Sequence, residues 1–137
     1  GVSADSFAPD APVTLGMLMT ALARTEGVDT ATGATWYTAG MAWGTESGLC
    51  GTSDPGAPAT RTEVASALYR LAGAQPGTAD LGAYTDGAAV SAGARDAVRW
   101  AVDEGLLTGT GEGHLEPDRI ATRAELASML QRWSGRA

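Results

Sequence analysis

Arg61 and Arg123 are the residues whose placement most invites chemistry. Each follows a threonine and stands two residues ahead of a glutamate, in Thr60-Arg61-Thr62-Glu63 and Thr122-Arg123-Ala124-Glu125. The Thr and Glu of this phrase suit a capping box. The hydroxyl accepts the amide three residues on, and the carboxylate reaches back to the cap amide. That box has no use for the arginine. A guanidinium one step inside a helix N-terminus can meet a carboxylate with two aligned donors, and the helix dipole adds attraction. The competing reading is a surface ion pair with a nearby acid, worth at most about 1 kcal/mol.

Other chemistry is sparse. Cys50 is the only cysteine, which rules out a disulfide within the chain and a cysteine-based metal cluster. His114 lies in a turn-rich stretch with no second His or Cys near it in sequence. Cys50 itself takes the place that Leu107 takes later in the chain, which predicts a small buried hydrophobe. The acids are scattered and form no calcium loop. No phosphate-binding loop, dinucleotide fingerprint or nucleophile elbow occurs. A glycosidase would need two carboxylates across a cleft, and no pair is singled out for that. The expectation is a protein that is not an enzyme and uses neither cofactor nor metal.

Charge narrows the partners. The 137 residues carry a net charge of −7, and all nine basic residues are arginine. With a pI near 4.5, nucleic acid and anionic membranes are poor partners. No apolar run is long enough to cross a membrane, and no signal peptide is visible. The chain opens on Gly1, which points to a piece of a longer protein.

The elements that must position these residues come in three copies. Val13-Thr14-Leu15-Gly16-Met17, Ala59-Thr60-Arg61-Thr62-Glu63 and Ala121-Thr122-Arg123-Ala124-Glu125 each open an amphipathic run. Leu18, Ala21, Leu22 and Thr25 follow the first; Val64, Ala67, Leu68 and Leu71 the second; Leu126, Met129, Leu130 and Trp133 the third. The spacing predicts three helices, each with one apolar stripe, buried against one another. A second kind of helix is predicted over about 36–47 and 93–104, ending at Gly48 and Gly105 in left-handed caps. Met17 replaces the glutamate in the first copy, so its cap should be weaker. Residues 73–90 read as a loop, and the link from Gly105 to Arg123 is longer than that from Gly48 to Arg61.

Taken in order, Tyr84-x-Asp86, Ala97-Val98-Arg99-Trp100-Ala101, Gly105-Leu106-Leu107, Gly111-x-Gly113-x-Leu115-x-Pro117 and Thr122-Arg123-Ala124-Glu125 resemble an S-layer homology repeat. Ala42-Trp43, Gly48-Leu49 and the phrase at Thr60 form a shortened second repeat, and Phe7 to about Gly27 an incomplete first. The implied organisation is one domain over 1–137, with repeats at about 1–28, 34–73 and 83–135. The resemblance implies an all-α pseudo-threefold spindle, with a central three-helix bundle and short outer helices.

It also implies an extracellular module that anchors proteins to secondary cell-wall polysaccharide on the bacterial surface. Pyruvylated sugars would sit in grooves between repeats, with Arg61 and Arg123 receiving the acid. Gly48, Gly105, Trp43 and Trp100 would shape groove walls, and Asp86 is a further ligand candidate. Helix packing is the competing role for the two tryptophans, and turn formation for Asp86. Leu15 stands where the first repeat would carry its arginine, so at most two grooves are expected to bind. The rival function is a protein-interaction or structural module that has lost the glycan, with another protein or a neighbouring domain as partner.

Overall fold

A computed structural model describes residues 11–31, 33–49, 54–73, 75–107, 109 and 113–134. Among them lie five α-helices: α1 (Leu15–Thr25), α2 (Thr38–Glu46), α3 (Arg61–Ala72), α4 (Arg95–Asp103) and α5 (Arg123–Ser134). Three short 3-10 turns, Leu81–Ala83, Gly87–Ala89 and Ala92–Ala94, lead into α4. No strand is present among the described residues, and the chain is all-α as the periodicity predicts.

Helices α1, α3 and α5 begin where the repeated phrase places them. Glu63 Oε1 accepts the Thr60 amide at 2.8 Å, while the Thr60 hydroxyl accepts the Glu63 amide at 3.1 Å. Thr122 and Glu125 repeat the box at 2.9 and 3.2 Å. In α1 the methionine sulfur takes the carboxylate's part: Met17 Sδ lies 3.3 Å from the Thr14 amide. A thioether is a weak acceptor, in keeping with the weaker cap expected there.

A ring of buried backbone hydrogen bonds joins the three segments ahead of these caps. The Val13 amide donates to the Ala121 carbonyl at 2.8 Å, Ala121 to Ala59 at 2.9 Å, and Ala59 back to Val13 at 3.0 Å. All three residues are fully buried, so each amide needs a protein partner and finds it in another repeat. A second ring runs the opposite way. Leu15 donates to Ala57 at 2.8 Å, Arg61 to Arg119 at 2.9 Å, and Arg123 to Ala11 at 3.0 Å. Three sequence-distant segments are thereby locked at one level, and the start of each helix is fixed against the next repeat.

Residues from all three stripes share one apolar cluster, including Leu18, Leu22, Val64, Leu68, Leu126 and Met129. The closest helix pairings are not among α1, α3 and α5, however. They run between α1 and α2 and between α3 and α4, so a first helix packs on the second kind of helix from the following repeat. Small residues allow this: a side chain at Gly40 would come within 2.6 Å of the Thr20 Cα. Gly48 and Gly105 follow α2 and α4 at φ 72°, the left-handed geometry expected of them.

Candidate functional site

Arg61 is the first residue of α3, and its backbone is pinned to Arg119 in the second ring. That pin turns its side chain into the junction with the third repeat, where it is only 5% exposed. Its Nε donates to the Leu115 carbonyl at 3.2 Å, and Nη1 donates to Glu125 Oε2 at 2.8 Å. Glu125 thus divides its two oxygens. Oε1 caps α5 at Thr122, and Oε2 receives both Arg61 and the Arg119 guanidinium. Arg119 also reaches Glu116 Oε2 at 3.3 Å, and with its side chain 41% exposed it stands at the rim.

A cleft of about 530 Å³ opens beside this cluster. Arg61, Glu116, Arg119, Glu125, Ser128 and Arg132 supply its polar lining, while Leu106 and Met129 add apolar surface. Burial of the Arg61 guanidinium without a counter-charge would cost several kcal/mol, so the pairing to Glu125 is what makes its position tenable. The same pairing leaves the cleft with three cations against two acids.

Asp86 shapes the lip of the cleft. Its Oδ1 accepts the Leu115 amide at 2.7 Å and its Oδ2 the Glu116 amide at 2.8 Å. Thr85 adds a backbone bond to Gly113 at 2.8 Å. Glu116 has φ 52°, a left-handed conformation costly for a side-chain-bearing residue, and the carboxylate clamp holds it there. The Leu115 amide above all keeps the Asp86 carboxyl below its ordinary value of 3.8. Desolvation opposes this, and the Glu116 amide and the His114 charge reinforce it.

The other candidates are distributed more widely. Trp100 is buried, with edge-on rings at Tyr69 (5.7 Å) and Trp133 (6.1 Å). Trp43 is half-buried and packed on the core. Arg123 is half-buried and is not among the residues lining the cleft. The segment ahead of Ala11, counterpart of the lip, lies outside the described residues, as does Cys50. Gly48 and Gly105 end their helices, and their carbonyls accept Nη1 of Arg70 and Arg132, each at 2.7 Å. Among the described residues, no group of three or more His, Cys, Asp or Glu could hold a metal, and no helix is long and apolar enough to cross a membrane.

Sequence reasoning missed Glu116, Arg119 and Arg132. Arg132 carried a signal, because Arg70 holds the matching place in the second repeat. Arg119 carried none: its counterparts in the second ring are Ala57 and Ala11.

No curated protein matches the chain. Residues 83–127 match the model of the S-layer homology domain. The match begins at the turn before Tyr84 and ends in the first turns of α5, so it takes in Asp86, α4, the lip and Glu125. S-layer homology domains are non-catalytic modules that bind cell-wall polymers and anchor proteins at the bacterial cell surface. The order of motifs, the helices they form and this match agree, and residues 83–127 are similar to an S-layer homology domain.

Proposed function

We propose that the chain tethers the protein it belongs to by holding an acidic, pyruvylated sugar of secondary cell-wall polysaccharide in the cleft between α3 and α5. One observation carries the reading: three of the nine arginines of an acidic protein line a single cleft. A surface with net charge −7 repels a polyanion at a distance. Binding then depends on a few local donors, which makes it selective. Arg61 and Arg119 face the acid, and Arg123 serves the corresponding junction with the first repeat. Asp86 and Gly105 act by holding the cleft walls, Trp100 acts by packing between Tyr69 of α3 and Trp133 of α5, and Trp43 acts by packing on the core.

Calorimetric titration with purified wall polysaccharide, native and depyruvylated, tests this. Native polymer should bind, depyruvylated polymer should bind much more weakly, and Arg61→Ala with Arg123→Ala should lose affinity while keeping a helical circular dichroism spectrum. Undiminished binding by the double variant removes both arginines from the site. No binding to any wall fraction would return the reading to a protein-interaction module, the alternative that the buried Leu15 favours.

A further inference from the structure

We infer that the cleft recognises two acidic groups on one glycan chain, the first at Arg119 with Arg61 behind it, the second at Arg132. The inference rests on the glycan reading above and extends it from a single charge to a span. Glu125, Ser128 and Arg132 lie at i, i+3 and i+7 on α5, so they form one stripe along the cleft. Two turns of helix separate the first from the last, a rise of about 10 Å. That is longer than a single sugar ring.

The chemistry along the stripe is ordered. At the near end Glu125 holds the Arg61 and Arg119 guanidinium groups together. At the middle is the exposed hydroxyl of Ser128, a donor and acceptor suited to sugar hydroxyls. At the far end is exposed Arg132, and among the described residues no carboxylate lies within ion-pair distance of it. Its bond to the Gly105 carbonyl uses one of five N–H donors and orients the fork. A structural need for that bond does not explain the site, because Arg70 makes the same bond to Gly48 at the same distance and is not among the cleft's lining residues. Arg70 is therefore an internal control.

The experiment uses wall-polysaccharide fragments carrying one ketal-linked carboxylate and fragments carrying two, titrated into the protein at low salt. The two-acid fragment should bind about fivefold more tightly, the worth of one exposed charge-assisted contact. Arg132→Gln should erase that advantage and weaken the two-acid fragment more than the one-acid fragment. Arg119→Gln should weaken both fragments, and Arg70→Gln neither. Equal affinity of the two fragments for the unaltered protein overturns the inference while leaving the glycan reading intact. An equal effect of Arg70→Gln and Arg132→Gln overturns it too, since the role would then be structural. If neither fragment binds, both readings fall together.

Discussion

The starts of α1 and α3 share one backbone frame and differ in a single decisive side chain. Leu15 donates to Ala57 and Gly16 to Pro55, at 2.8 and 2.9 Å; Arg61 donates to Arg119 and Thr62 to Pro117, at 2.9 and 3.1 Å. Both first residues are buried, Leu15 at 7% and Arg61 at 4% exposure. The frame accepts either residue because it is built from main-chain groups. The leucine joins the apolar cluster. The arginine brings a charge inside and must be answered, which Glu125 and the Leu115 carbonyl do. Glu63, the counterpart of Glu125, is exposed, and its Oε1 caps α3. Differences between repeats, Leu15 against Arg61 and Ala57 against Arg119 among them, thus set a polar cleft on the same main-chain frame.

The largest effect should come from erasing that difference. Arg61→Leu copies the first repeat into the second, but it strands the Leu115 carbonyl and leaves Glu125 with Arg119 alone. A loss of about 2 kcal/mol is expected, less than for a fully buried pair because Glu125 is partly exposed. In a chain of this length that lowers the melting temperature by about 6 °C. A melting temperature within a degree of the parent's would mean the pair contributes nothing and the two junctions are energetically alike.

A smaller contrast separates the two capping glutamates. Glutamine preserves the cap acceptor, so Glu63→Gln should cost only a few tenths of a kcal/mol. Glu125→Gln removes the charge that answers Arg61 and should cost about 1 kcal/mol more. Urea denaturation of both variants reads the difference directly. Matching midpoints would reduce Glu125 to a cap.

The smallest effect concerns the lip. The Asp86 carboxyl titrates below 3.8 in the folded chain, held down chiefly by the Leu115 amide. A lowered folded-state value means that the stabilisation is fully present above the unfolded value. It is lost as pH falls from there through the folded value. Asp86→Asn should therefore lower the melting temperature by a constant amount near neutrality. The gap to the parent should close below about pH 3.8. A gap that persists into stronger acid would show that geometry, not charge, holds the loop.

Much of this was legible in the residues. The Thr and Glu of each cap are read from local spacing, and the structure forms both boxes at hydrogen-bond distance. Gly48 and Gly105 announce left-handed caps because little else tolerates that backbone. Helix pairing was less legible. An apolar stripe says that a face is covered but not by what, and α1 found its closest neighbour in α2. For Arg61, spacing marked a charge beside a helix start without saying whether solvent, ligand or an internal acid would meet it.

Local sequence by itself determined where the helices begin and end, which face of each is apolar, and which positions hold a guanidinium. These properties follow from groups within a few residues of one another. The tertiary structure alone decided that Glu125 answers Arg61, that Asp86 fixes a strained turn at Glu116, and that Arg119 and Arg132 meet at one cleft. Those relations join residues far apart in the chain. They exist only because two rings of main-chain hydrogen bonds, indifferent to side-chain identity, bring the three repeats to a common level.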